Sequence, residues 1–303
     1  MDATQTALSA LNSHDAKKFA SVYAENAEVV MPGLNSVTGR TGVYANMNEW
    51  FQTFSKVNLG FRRVWMKDKV VVLEWVIQGT HSGELLGIKG KDNAIGHAGL
   101  SIVKFNDDGK VESEHRYGDL GTVAAQLGLT KEKPASIPSV PDGTDVYRAD
   151  PDADAKSEAA AKAVVAAFDK KNSADIDALV HEDVEYQGLI TSDIVKGRGN
   201  LKKAIGVLYT SIPDALVTPS LVLGIGDYAV VEYLMAGTQQ GAIGSIKATK
   251  KPVTLHAVDI MQFRDGKVSR VWTFRNSTEV MQQLSMFNVR VVTPTAPATP
   301  RKN

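Results

Sequence analysis

The 303-residue chain predicts two tandem α+β domains, each a curved antiparallel sheet packed with about three helices. Three observations predict it. The chain repeats itself: GTHSGELLGI at 79–88 recurs as GTQQGAIGSI at 237–246, and FNDDGKVESEHRYGD at 105–119 recurs as FRDGKVSRVWTFRN at 263–276. The offset is 158 residues at the first pair and 157 at the second, so the two copies stay in register within one residue. Between them lies a stretch with Pro134, Pro138, Pro141 and Pro151, which continues neither a helix nor a central strand. Finally, helical periodicity precedes strand periodicity in both copies, the order of an α+β unit.

These boundaries put one domain at 3–130, a Pro-rich linker at 131–154, a second domain at 155–288 and a disordered tail at 289–303. Lys plus Arg equals Asp plus Glu at 34 each, so no net field recruits nucleic acid or an anionic membrane. No apolar run reaches the roughly 18 residues of a membrane-spanning helix. The start, MDATQTALSAL, lacks a signal-peptide pattern. A soluble protein is expected, either cytoplasmic or exported with its signal removed. The absence of cysteine excludes disulfides, thiolate nucleophiles and thiolate metal sites.

Within each copy the elements follow in order. Val43, Tyr44, Met47, Trp50, Phe51 and Phe54 form a helical stripe, and Leu201, Ala204, Ile205, Leu208, Tyr209 and Ile212 form its counterpart. VVVLEWVIQG (70–79) and YAVVEYLMAG (228–237) are dense in β-branched and aromatic residues and read as buried strands. A curved sheet closed by helices makes a cone, whose interior is the place for a ligand.

The last hairpin carries the polar residues. Asp265-Gly266 reads as a two-residue turn pairing Arg264 with Lys267, and Asp107-Asp108-Gly109 as a three-residue turn pairing Asn106 with Lys110. Counting outward from the first turn on the face of Phe105, Val103 and Val111 sets Ser101 opposite His115, Gly99 opposite Tyr117, and His97 opposite Asp119. His115, Tyr117 and Asp119 then share one inward face. An inward Asp beside an imidazole is a candidate general acid/base. The same counting in the second copy faces Asp259 with Trp272, Ala257 with Phe274 and Leu255 with Asn276, a pocket with weaker acid/base equipment to which Tyr233 also belongs. Asp119 corresponds to Asn276 and His115 to Trp272, which confines the expected chemistry to the first half.

Gly79, Thr80, His81, Gly83, Glu84 and Gly87, then Gly109, Lys110, Glu114, His115 and Asp119, closed by Gln126-Leu127-Gly128-Leu129, resemble the SnoaL-like polyketide cyclase family of the NTF2-like superfamily. The second copy keeps Gly237, Thr238, Gly244, Gly266 and Lys267 and is similar in a more degenerate form. The resemblance implies a cone fold with a pocket and acid/base chemistry without a cofactor. It implies Asp119 as general acid/base, with His81 and His115 orienting or polarising a carbonyl. The sequence departs from the family pattern at Arg116, where Trp is usual, at KGKDNAIG after the Gly-Ile pair, and at Ser101, where an acidic residue is common.

The expected site therefore has Asp119, His97 and His115 as catalytic groups, with His81, Tyr117, Ser101, Trp75, Arg40 and Trp50 around the substrate. Trp50 and Trp75 serve as core and pocket wall. Arg40 either holds an oxyanion or is solvated. Glu74 and Glu232, at equivalent mid-strand positions, either pair with an Arg of a neighbouring strand or line the pocket. No metal is expected, since the six His lack ligand spacing; a His81/His97/His115 cluster would be the one candidate. Cyclase, isomerase or aldol-type chemistry on a small hydrophobic carbonyl compound is the first functional reading, and non-catalytic binding of a small hydrophobic molecule is the alternative. The two halves are expected to pack sheet to sheet as an intramolecular pseudo-dimer, with a homodimer also possible.

Overall fold

A strand that is largely apolar on both faces needs a hydrophobic partner on each, and two such strands organise this chain. The computed structural model describes residues 2–85, 87–130, 133–171, 173–187, 194–243 and 246–286. The first half runs α1 (Asp2–Asn12), α2 (Ala16–Ala20), β1 (Tyr23–Val30), β2 (Val37–Thr38) and α3 (Gly39–Thr53). It continues with β3 (Phe54–Lys67), β4 (Val70–His81), the short pair β5 (Glu84–Leu85) and β6 (Ile88–Lys89), β7 (Asn93–Phe105), β8 (Val111–Gly118) and α4 (Leu120–Gln126). After β9 (Asp145–Arg148), the second half repeats the plan. It comprises α5 (Pro151–Asp169), α6 (Ser173–Leu179), β10 (Val180–Gln187), β11 (Val195–Lys196), α7 (Arg198–Ser211), β12 (Leu216–Ile225), β13 (Tyr228–Thr238), β14 (Pro252–Arg264), β15 (Lys267–Arg275) and α8 (Ser277–Gln283).

Helices α3 and α7 carry the two expected helical stripes except for the last residue of each, Phe54, which begins β3, and Ile212, which follows α7. A glycine bend stands at the first residue of α3 and just before α7. Gly39 and Gly197 have φ of 73° and 83°. A Cβ on Gly39 would also stand 2.9 Å from the Glu25 carbonyl oxygen, so both backbone and space favour glycine there. No described helix is long and apolar enough to cross a membrane.

The strand orders are β2-β1-β8-β7-β4-β3-β9 and β11-β10-β15-β14-β13-β12. The sheets are mixed rather than purely antiparallel. β1 lies parallel to β8, as β10 does to β15, because α3 or α7 and a four-strand meander return the chain in the starting direction. The segment read as linker holds more structure than its prolines indicate. Asp145 to Arg148 pairs in parallel with Arg63 to Met66, and α5 begins at Pro151, capped by the Asp150 carboxylate. The tail expected to be disordered, at 289–303, lies outside the described residues.

In both final hairpins the turn is as the sequence predicts. Asp265 and Gly266 have φ of 51° and 73° between paired Arg264 and Lys267, and Gly109 has φ of 69°. Two residues past the turn, however, each returning strand bulges. Phe105 pairs with Val111 but Lys104 pairs with Ser113, and Phe263 pairs with Val268 but Gln262 pairs with Arg270. A one-residue bulge exchanges the faces of every side chain beyond it. The opposed pairs therefore become Ser101 with Arg116, Leu100 with Tyr117 and Ile102 with His115. In the second copy Asp259 opposes Thr273 rather than Trp272.

This exchange builds the contact between the halves. Val72 of β4, Leu100 and Ile102 of β7, and Tyr117 of β8 pack with Trp65 against Ile225, Tyr228, Val230, Val258 and Ile260. The opposite faces of the same strands, through Val71, Leu73, Trp75 and Ile77 in one half and Ala229, Val231, Tyr233 and Met235 in the other, fill the two cone interiors. Glu74 meets this junction paired with Arg63 and Arg62 of the neighbouring strand. The Arg63 guanidinium lies 3.6 Å from the ring centre of Trp272 in the other half. Glu232 is paired across the junction. It accepts from Tyr117 Oη at 2.8 Å, lies 2.6 Å from His115 Nδ1, and accepts from Ser220 Oγ at 2.8 Å.

The terminal helices cap one another. Asp119 caps α4 through Gly121 N and Thr122 Oγ1, and also accepts from Ser277 N at 2.9 Å and Ser277 Oγ at 2.6 Å. Asn276 caps α8 through Thr278 and accepts from Leu120 N at 3.2 Å, while its amide donates to the Pro32 carbonyl. Each cap residue thus serves its own helix and the first residue of the other.

Two outcomes follow from these contacts. Asn276→Ala is expected to lower stability by about 1–2 kcal/mol, the usual cost of an N-cap, read as a lower urea midpoint. An unchanged midpoint would show that the reciprocal caps carry no weight. The second concerns pH. The hydrogen bond to Glu232 raises the His115 pKa against the opposing effect of burial. For Glu232, burial pushes upward but His115, Tyr117 and Ser220 outweigh it and the pKa is lowered. A raised imidazole gives stability that is complete below its ordinary value of 6.5 and is lost as pH rises through its folded value. A lowered carboxyl gives stability that is present above its ordinary value of 4.5 and is lost as pH falls through its folded value. The difference in melting temperature between wild type and His115→Gln should therefore be largest between these two ordinary values and shrink in alkaline buffer. A pH-independent difference would rule out an ionic pair.

Candidate functional site

With the bulge in place, the interior of the first cone is lined by a different set of residues from the one counted off the turn. β8 presents Glu114, Arg116 and Gly118 inward, β7 presents Ser101, Gly99 and His97, and β4 presents Leu73, Trp75, Ile77 and His81. Glu114 is buried at 4% exposure. It accepts from Tyr23 Oη, from Ser101 Oγ at 2.8 Å, and from Arg116 Nε and Nη2 at 2.8 Å each. Burial pushes its pKa up, but Arg116, Tyr23 and Ser101 more than offset this and hold the carboxyl below its ordinary value. Such a carboxylate is saturated with donors and stays ionised.

Trp75 forms the wall above this group. Its Nε1 donates to Ser101 Oγ at 3.2 Å, and its ring lies across Gly99 and Gly118. A Cβ on Gly118 would stand 3.2 Å from that ring and 3.1 Å from His97 Cε1, so the glycines make room for the indole. Trp75 and His97 meet edge to face with centroids 5.4 Å apart.

The expected site residues are distributed as follows. Ser101, Trp75, His97 and His81 are on the inner face of the first cone. His97 Nδ1 lies 3.0 Å from the Ala98 carbonyl, and burial lowers its pKa. Among the described residues no hydrogen bond joins it to Asp119. His81 is 2% exposed, its pKa is lowered by burial, and its Nε2 has no partner among the described residues. Trp50 is half-buried beside Phe51 and Phe54. Arg40 is half-buried, its Nε donating to the Tyr23 carbonyl and its Nη1 to Glu25. His115 and Tyr117 do not face the cone, because the bulge turns them to Glu232, and His115 therefore does not gather with His81 and His97. Asp119 sits in the helix caps. Burial pushes its pKa up, but the Ser277 hydrogen bonds, the Arg275 charge and Thr122 outweigh this and lower it. A count without the bulge points Glu114 and Arg116 away from the cone, and Tyr23 lies on β1, outside the counted hairpin.

The second cone differs in kind. Trp272 and Asn276 belong to the junction between the halves, again through the bulge. Asp259, opposite Thr273, faces inward and is half-buried. It accepts from Thr273 Oγ1 at 2.6 Å and lies 3.4 Å from Tyr233 Oη. No described cation pairs with it. Burial pushes its pKa up to about 6, opposed by the two hydroxyls. Leu255, Ala257, Met261, Val231 and Met235 surround it with apolar surface. A carboxyl poised this way can both accept and return a proton near neutral pH.

Comparison with known proteins agrees with this architecture. The family model described as SnoaL-like polyketide cyclase matches residues 2–127 and again 158–284. Similar solved structures each cover less than half of this chain. TsrD from Streptomyces laurentii is 20% identical, covers 44% of this chain and 97% of its own, with a TM-score of 0.40. A putative SnoaL-like polyketide cyclase from Jannaschia sp. CCS1 is 20% identical and covers 45% and 95%, with the same TM-score of 0.40. A putative ketosteroid isomerase from Kribbella flavida is 23% identical and covers 41% and 80%, with a TM-score of 0.33. No curated relative matches the chain. The matched family model spans most of both halves, so the chain belongs to the SnoaL-like polyketide cyclase family, as a tandem pair of NTF2-like domains.

Proposed function

We propose that this protein carries out cofactor-independent proton transfer on a small, largely hydrophobic carbonyl compound, and that the second cone is where it does so. The observation that supports this is Asp259, an inward carboxyl among apolar side chains with two hydroxyl neighbours and a pKa pushed up to about 6. Asp259 is the acid/base. Tyr233, whose hydroxyl burial holds protonated, is the group beside it that can donate to a substrate oxygen. Assigning the same role to Asp119 would require it to leave Ser277 and Thr122, on which both terminal helices depend. The first cone favours the other reading, ligand binding without chemistry, because its carboxylate is already neutralised by Arg116.

The test uses α-tetralone in deuterated buffer, with exchange at the carbon beside the carbonyl followed by NMR. Wild type should accelerate exchange, with a rate that rises with pH through about 6 as the base ionises. Asp259→Asn should cut it roughly hundredfold, the usual weight of a general base. A rate untouched by the substitution would defeat the assignment. The same variant should be more stable than wild type above pH 6. A carboxyl raised from 3.8 to about 6 costs the folded state on the order of 2–3 kcal/mol once ionised. Below pH 3.8 both states are protonated and the difference vanishes. Gain of stability with loss of turnover separates a working carboxyl from a structural one.

A further inference from the structure

The first cone holds a fixed guanidinium for which proton transfer in the second has no use. Arg116 stands inward on β8, across from Ser101 and one position before the Tyr117 that turns to the other half. Its Nε and Nη2 both donate to Glu114, and Nη2 also lies 3.4 Å from the Tyr23 hydroxyl. Nη1 has no acceptor among the described residues and is not sealed within protein. The side chain keeps 22% exposure, its guanidinium carbon lies 6.0 Å from the centre of the Phe19 ring, and Trp75, Leu73 and Val103 stand on the same face beside Ser101. Glu114, itself locked by Tyr23 and Ser101, sets the plane of the guanidinium, so the remaining N–H edge has a definite direction before anything binds.

We propose that the Nη1 edge of Arg116 is a binding subsite of the first cone, and that it receives the carbonyl oxygen of a small neutral apolar molecule. Charge selects the ligand. Glu114 already cancels the guanidinium, so a neutral acceptor adds a hydrogen bond without adding charge. A carboxylate would leave an excess negative charge against an apolar wall. The guanidinium does not give up its proton at physiological pH, so the subsite orients a ligand and performs no chemistry. Trp75, tethered to Ser101 and resting on Gly99 and Gly118, provides the flat surface beside it.

This subsite rests on the reading that the cones take small apolar molecules, and it is tested separately from proton transfer. Acetophenone and benzoate share a ring and differ in carrying a ketone or a carboxylate. Titration calorimetry on the full chain should show acetophenone binding at least about tenfold tighter than benzoate. Arg116→Met should weaken acetophenone by about tenfold, one charge-assisted hydrogen bond. Glu114→Gln keeps the shape, uncovers the positive charge and should move the preference toward benzoate. That reversal is the decisive readout, since a merely structural pair would not produce it. Three results would overturn the subsite: no acetophenone binding to wild type, binding indifferent to Arg116→Met, or an unchanged preference in Glu114→Gln. If Arg116→Met fails to fold, the Glu114→Gln comparison decides alone. Arg116-dependent binding with no tetralone exchange would sink the proton-transfer reading only, and the converse would sink only the subsite.

Discussion

Everything in this chain depends on strands that are apolar on both faces. Val71, Leu73, Trp75 and Ile77 fill one cone while Val72 and its neighbours press on the other half, and β13 repeats the arrangement. Neither sheet could present its outer face to water without exposing a continuous apolar surface. The second half therefore supplies the cover that the outer face of the first requires. Two polar groups at the junction are matched across it, Glu232 by His115 and Tyr117 and Asp119 by the start of α8; Glu74 pairs within its own half, and Trp65 Nε1 has no partner among the described residues.

The large-scale plan was legible because it is written in periodicities. Helical stripes gave α3 and α7, unbroken apolar runs gave β4 and β13, and the positive-φ turn residues Gly109, Asp265 and Gly266 gave both hairpin turns. The site was less legible, for one local reason. A bulge needs no particular residue, and Glu112 and Ser269, where the two strands bulge, carry no signal that a count along the strand can detect. A single uncounted residue sent His115 and Tyr117 to the junction and brought Glu114 and Arg116 into the cone. Ser101 and Asp259, which lie before the turns, kept their predicted faces because nothing intervened.

The two interiors have diverged in how they handle charge. The first holds a carboxylate neutralised by a guanidinium and two hydroxyls; the second holds a carboxyl with hydroxyl neighbours and no described cation. At matched positions, Ser101 answers to Asp259 and Arg116 to Thr273. An ion pair fixes geometry and suppresses titration, whereas an unpaired carboxyl in apolar surroundings is costly to ionise and hence responsive near neutrality. The same scaffold thus supports a fixed ion pair in one interior and a carboxyl raised by burial in the other.

The strand β9 lies in the segment that joins the halves, and that connection changes what kind of assembly this is. A pair of separate subunits is subject to mass action and falls apart on dilution, so its stability cannot be separated from its concentration. Here the partner is always present at the effective concentration set by a short, partly ordered tether. A symmetric dimer must also carry every substitution twice, once in each subunit. This chain is free of that constraint, which is how Arg63 can face Trp272 on one side of the junction while His115 faces Glu232 on the other. Covalent joining lets the molecule keep its unlike interiors even when few copies of it exist.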